Sequence, residues 1–250
     1  MNTASTTPRP LVLLHGWGLS AAVWRPLLDQ LDPRRPVHAP DLPGHGGAAP
    51  AGDTLASWAE ALLPALPGNS VLVGWSLGAQ LALELAHRYP ERIDRLVLIG
   101  ASPRFTAGED WPHGLPGATL DDFRAQFDSA PEATQRRFVA LQSLGDRARK
   151  AVSATLGGSL TPADPSRQAA LATGLQLLAD IDLRALTSVI TQPVRLLHGS
   201  EDKLMPLAAA EWLADQLPGG RLSVFDQAGH APFLSRPGDC AGLIEGFADE

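Results

Sequence analysis

The 250-residue chain carries 20 Lys and Arg against 27 Asp and Glu, a formal net charge of −7, which lacks the basic footprint that general nucleic-acid binding requires. With 44% hydrophobic and 19% charged residues it is too apolar to stay disordered and long enough to bury one sizeable core. The single cysteine, Cys240, excludes an internal disulfide and a cysteine-rich zinc site.

The N-terminal "MNTASTTPRPLVLLHG" has no charged start followed by a long apolar stretch, and no run reaches membrane-spanning length. A cytoplasmic protein with no membrane partner is expected. Short apolar runs bounded by Gly, Pro or Asp then recur at 11–16, 36–42, 70–76, 95–101, 193–202 and 221–230. Helical spacing lies between several of them, at 55–66 and 78–90. That alternation predicts the α/β class, with a mostly parallel central sheet flanked by helices.

From Phe105 to Thr187 no convincing strand appears. Phe123, Phe127, Phe138, Leu141 and Leu144 are among the apolar positions of a helical segment, with Pro112, Pro116, Pro131, Pro162 and Pro165 as breakers. Several short helices are expected, forming a cap (105–187) inserted into a core made of 1–104 and 188–250.

Gly74-Trp75-Ser76-Leu77-Gly78 has the G-x-S-x-G spacing, with a strand before it and a helix after it. In that context the glycines permit a strained turn, the serine hydroxyl projects at the strand end, and the Leu77 N–H points to where an oxyanion forms. A serine hydroxyl is a poor nucleophile near neutral pH, so a base and an orienting acid must follow later in the chain. His230, in "DQAGHAPFLSRP" after the last strand, is the candidate base. His15, His38, His45, His87 and His113 do not fit, and His198 sits in a strand end. Asp202, at the turn of "LLHGSEDKLMP", is favoured as the acid, because sites in such sheets assemble at the carboxyl ends of strands. Glu201 and Asp226 are rivals. The Trp17 N–H, after "LLHG", is the candidate second oxyanion donor. Asp41 and His45, in the turn-rich "PDLPGHG", are expected to be structural.

With these residues assembled, the chain resembles the α/β-hydrolase superfamily along nearly its whole length, through "LLHGWG", "PDLPGHG", "GWSLGAQLALELA", "LLHGSEDKLMP" and "AGHAPFLSRP" in that order. Ala79 stands where such elbows commonly carry glycine. Within the superfamily the chain looks most like the carboxylesterases of biotin biosynthesis that act on pimeloyl-[acyl-carrier protein] methyl esters, through "ASPRFTAGEDWP" and "RRFVALQ" as well. That resemblance implies a serine esterase with a Ser76–His230–Asp202 triad, needing no cofactor and no metal, and working as a monomer on an acyl chain borne by acyl carrier protein.

The resemblance also implies that Phe138 and Gln142, with Leu141 on the same helical face as Gly145, line the acyl channel above Ser76, while Trp17 and Leu77 surround the ester beside His230. Arg136, Arg137, Arg147, Arg149 and Lys150 form a basic island interrupted by one acid, Asp146, and the resemblance makes it the contact for the acidic carrier protein. Two other readings stay open: an esterase or thioesterase of the same fold acting on small acyl esters, and a non-enzymatic binding member.

Overall fold

The computed structural model describes residues 8–250. Six strands, β1 (Leu11–Leu14), β2 (Val37–His38), β3 (Ser70–Trp75), β4 (Ile93–Ile99), β5 (Val194–Gly199) and β6 (Arg221–Phe225), form one sheet in the order β2-β1-β3-β4-β5-β6. Every pairing is parallel. A parallel sheet is covered on both faces, which is why its inner strands read as unbroken apolar runs such as "LVLL". Successive residues alternate between two clusters: Val12, Leu14, Leu72, Leu96 and Leu98 on one face, Leu11, Leu13, Val71, Val73, Val97 and Ile99 on the other.

Among the described residues ten α-helices flank the sheet: α1 (Arg25–Leu28), α2 (Leu55–Leu62), α3 (Leu77–Arg88), α4 (Gly117–Ser129), α5 (Pro131–Gln142), α6 (Arg149–Gly158), α7 (Pro165–Asp180), α8 (Leu207–Gln216), α9 (Pro232–Ser235) and α10 (Pro237–Asp249). None of the helices among the described residues is long and apolar enough to cross a membrane. The four from α4 to α7 lie between β4 and β5, where the strand pattern lapses. Two of the prolines read as breakers, Pro131 and Pro165, instead open α5 and α7, where a missing N–H costs nothing. Helix α5 stops at Gln142, so Gly145 does not continue its face but sits in the following turn at φ 80°. Phe123, Phe127, Phe138 and Leu171 join the same cluster as Leu14 and Leu72, so the insertion is packed onto the sheet side of the molecule.

The strands are shorter than their apolar runs, because pairing ends where the chain turns into site loops. The register keeps those ends level: Leu14 lies beside Gly74, Trp75 beside Ile99, Ile99 beside Leu197, and Gly199 beside Phe225. The chain runs from β1 outward to β2 and then returns to β3 on the other side of β1. Neighbouring connections therefore diverge at the carboxyl ends of β1 and β3, the crevice where open α/β sheets bind ligands. Helix α3 starts there, buried from Leu77 to Ala86. A Cβ at Gly78 would stand 2.6 Å from the His15 carbonyl oxygen and closer still to that of Leu14. Gly78→Ala is therefore expected to cost about 1–3 kcal/mol or more in urea unfolding, since the backbone in front of it has nowhere to move.

Candidate active site

Ser76 occupies the turn between β3 and α3 at φ 56°, ψ −120°. A non-glycine residue there is strained by roughly 1–3 kcal/mol. The turn is held by Ser76 N–H donating to Ile99 O at 3.0 Å and by Ala79 N–H donating to Ser76 O at 2.9 Å. Leu77 is the first residue of α3, so its N–H has no intrahelical acceptor and lies at the positive end of the helix dipole.

Asp202 follows β5 and is buried. Its Oδ1 accepts the N–H groups of Leu204 (2.9 Å) and Met205 (2.8 Å), and its Oδ2 accepts His230 Nδ1–H at 2.7 Å. Burial alone would raise its pKa; the facing His230, its hydrogen bond, the nearby His198 and the Met205 N–H outweigh that and hold the carboxyl below its usual range. An ionised Asp202 fixes the proton of His230 on Nδ1 and leaves Nε2 as the basic nitrogen. His230 Nε2 is buried with no hydrogen-bond partner. The ring lies against Gly100, where a Cβ would come 3.0 Å from Cε1, and Gly100 lines the same cleft as Ser76. The rival acids stand elsewhere: Glu201 pairs with Lys203 at 2.9 Å, and Asp226 is exposed. His198 is buried, its Nε2 2.9 Å from Met205 O and 3.5 Å from Asp202 Oδ2.

The loop after β1 passes close to Ser76, since a Cβ on Gly16 would meet Ser76 Cβ at 3.3 Å. His15 sets its orientation. Its Nε2 accepts Leu42 N–H at 3.0 Å, so Nδ1 carries the proton and donates to Gly16 O at 2.8 Å. With that carbonyl drawn toward His15, the Trp17 N–H of the same trans peptide points the opposite way. The Trp17 side chain turns into the insertion, donating to Leu171 O at 2.8 Å and packing edge-on against Phe138 and Phe127. Asp41 accepts the N–H groups of Ala21 and Gly47, both at 2.7 Å, and so ties together the turns around this loop.

A narrow gap beside Ser76, about 170 Å³ of empty volume, is bordered by Gln80, Gly100, Ser102, Phe105, Leu178 and Met205. Phe138, Leu141 and Gln142 are not among these walls. Phe138 is buried between Trp17 and Phe123, Leu141 is half-buried, and Gln142 uses its carbonyl to accept His230 N–H at 3.2 Å. Sequence reasoning missed Gln80, Gly100, Ser102, Phe105, Leu178 and Met205; Gln80, four residues past Ser76 and hence on its side of α3, and Gly100 and Ser102, just past the carboxyl end of β4, carried a positional signal. On the insertion's surface Arg136 pairs with Glu132, Arg137 donates to Gln126 and lies over the Phe123 ring, and Arg147, Arg149 and Lys150 are exposed. Asp146, in contrast, points inward. Among the described residues, no group of three or more His, Cys, Asp or Glu is placed to hold a metal ion.

The two histidines under the β1 loop set an acid limit. Burial, against the Gly16 carbonyl and Asp41, lowers His15 from 6.5 to about 4; burial and the neighbouring His15 lower His45 to about 3. Both stay neutral in the folded chain where the unfolded chain takes up protons, so stability falls as pH drops from 6.5 toward 4. Urea unfolding across that window is expected to lose on the order of 3 kcal/mol through His15 alone, and His15→Asn, which cannot charge, to flatten the slope.

The profile of the alpha/beta hydrolase fold family matches residues 9–237. In solved structures the chain is similar to an esterase from Exiguobacterium antarcticum, with a TM-score of 0.85 at 22% identity over 98% of this chain and 93% of that one. In sequence it is 54% identical over 240 residues to the pimeloyl-[acyl-carrier protein] methyl ester esterase of Aromatoleum aromaticum, covering 94% of this chain and 96% of the relative. It is 40% identical to the protein of the same name from Nitrosomonas europaea, covering 91% and 90%. The chain therefore belongs to the alpha/beta hydrolase fold family and, within it, to the family of pimeloyl-[acyl-carrier protein] methyl ester esterases.

Proposed function

We propose that the chain is a serine carboxylesterase that hydrolyses the methyl ester of pimeloyl-acyl carrier protein to the free carboxylate and methanol, in biotin biosynthesis. The chemistry rests on one observation above all: a buried His230, its Nδ1 held by Asp202 at 2.7 Å and its Nε2 unpaired, lies against Gly100, which borders the same gap as the strained Ser76. Ser76 Oγ attacks the ester carbonyl while His230 Nε2 takes its proton, and the N–H groups of Trp17 and Leu77 receive the charge that develops on the carbonyl oxygen. His230 returns the proton to the departing methoxide, giving methanol. Water, deprotonated by the same nitrogen, then hydrolyses the acyl-enzyme. No step calls for a cofactor.

The substrate assignment draws on the 54% identical relative and its name. Residues 105–187 act as a cap on a core of 1–104 and 188–250, with Phe138 and Leu141 of α5 and Trp17 of the loop after β1 toward the acyl chain and Gln142 at the end of α5. The exposed Arg147, Arg149 and Lys150, with Arg136 and Arg137, meet the acidic carrier protein by charge complementarity.

Ser76→Ala is expected to remove nearly all turnover, and Asp202→Asn to lower kcat roughly 10⁴-fold by releasing the wrong tautomer of His230. Asp226→Asn leaves kcat within about twofold, as is usual for an exposed residue outside the machinery; the reverse ranking of the two aspartates in steady-state assays would assign the acid to Asp226. Turnover of methyl pimeloyl-carrier protein against p-nitrophenyl esters tests the substrate. A combined Arg137→Glu and Arg147→Glu variant is expected to raise KM for the carrier-borne ester by about tenfold, with a smaller effect on p-nitrophenyl acetate. Equal effects on both substrates would remove the carrier-protein contact from this surface.

A further inference from the structure

The turn joining α5 to α6 reaches into both loops that carry the acid and the base. Arg147 N–H donates to Gln227 O at 2.9 Å, and the Gln142 carbonyl accepts His230 N–H at 3.2 Å. Between these two contacts stands Asp146, 6% exposed. Its Oδ1 accepts Ala148 N–H at 2.7 Å within its own turn, and its Oδ2 accepts Gly229 N–H at 2.9 Å across 83 residues of sequence. A buried carboxylate is costly without donors, and here both oxygens have one.

The fit is tight on each side. At Gly229 a Cβ would lie 3.0 Å from Leu144 O and 3.2 Å from Gln142 O; at Gly145, φ 80°, it would lie 2.5 Å from Glu201 O and 2.7 Å from Glu201 Cβ. The turn is thus wedged against the residue before Asp202 and the residue before His230. Those two loops are joined to each other by Glu201 N–H donating to Ala228 O at 2.9 Å. The remaining main-chain group of His230, its carbonyl, accepts Trp75 Nε1–H at 2.9 Å from the residue preceding Ser76.

We propose that Asp146 is a positioning residue for the esterase reaction. Its carboxylate anchors the Gly229 peptide to the insertion, and so sets where the His230 ring stands between Asp202 and Ser76. A carboxylate suits the task because it accepts on two sides; an amide in its place has one oxygen and turns an N–H₂ toward a second N–H. The same turn continues into the exposed Arg147, Arg149 and Lys150, so the base is held by the element that also presents this basic surface. The proposal rests on the triad assignment above.

Asp146→Asn is the direct test, with Asp146→Ser alongside it, since a serine keeps an acceptor for Ala148 but does not reach Gly229. Both are compared with the full-length wild-type enzyme, with Ser76→Ala and His230→Ala assayed in parallel. Folding is followed by circular dichroism, and functional sites are counted and timed by fluorophosphonate labelling of Ser76. Per folded molecule, kcat on p-nitrophenyl acetate is expected to fall about 10- to 100-fold, as misplacement of a catalytic group by about 1 Å does. KM stays within about twofold, and the labelling rate falls with kcat. Wild-type kcat and labelling rate in both Asp146 variants, with Ser76→Ala and His230→Ala inactive, would overturn the positioning role while leaving the triad standing. Activity lost only in proportion to unfolded protein would overturn it too, as would failure of both variants to fold, because Asp146 would then be a structural residue. Full activity in Ser76→Ala or His230→Ala would instead defeat the triad assignment itself.

Discussion

Parallel pairing of β1 with β3 sets Leu14 beside Gly74, and α3 begins so close behind that Gly78 has no room for a Cβ in front of the Leu14 and His15 carbonyls. The features of the site follow from that approach. It forces the β3–α3 turn to be abrupt, leaving Ser76 at φ 56° with its hydroxyl beyond the strand end. It brings the first N–H of α3 beside the loop after β1. The level carboxyl ends of β4, β5 and β6 then deliver Gly100, Asp202 and His230 to the same edge. A sheet with antiparallel neighbours would send these loops to opposite ends.

Electrostatics at this edge depends on burial that is compensated by named donors. Asp202 keeps its charge because two N–H groups and one imidazole face it. His15 and His45 take the opposite course and remain neutral, since each has backbone partners but no buried carboxylate within hydrogen-bonding reach. A neutral His15 with a fixed tautomer is what orients the Gly16–Trp17 peptide. Strain at Ser76 and desolvation of the imidazoles are local costs, sustained by the two packed faces of the sheet.

The helices between β4 and β5 are tied to the sheet from both sides. Trp17, from the core, is packed edge-on against Phe127 and Phe138 of the insertion, while the turn after α5 reaches back to the loops of β5 and β6. The packing therefore runs in both directions, with a core side chain buried in the insertion and insertion polar groups buried in the core. Movement of α5 relative to the sheet would disturb the backbone around His230 as well as the apolar lining.

The amino-acid sequence alone determined the α/β class, the order of the strands along the chain, the elbow at Ser76 and the place of the helical insertion. Each is written in neighbours a few residues apart: apolar runs, glycines flanking a serine, and a stretch where the strand pattern lapses. It also named Asp202 and His230, by order along the chain and by their position after strands. Tertiary structure decided what chain order does not carry: that Asp202 rather than Glu201 or Asp226 faces His230, and that Gln80, Phe105, Leu178 and Met205 wall the cleft. It also turned Asp146 away from its basic neighbours toward Gly229. Those outcomes depend on which loops the parallel register brings within about 3 Å of one another, the reach of a hydrogen bond. A local pattern holds no record of contacts made 28 or 83 residues away.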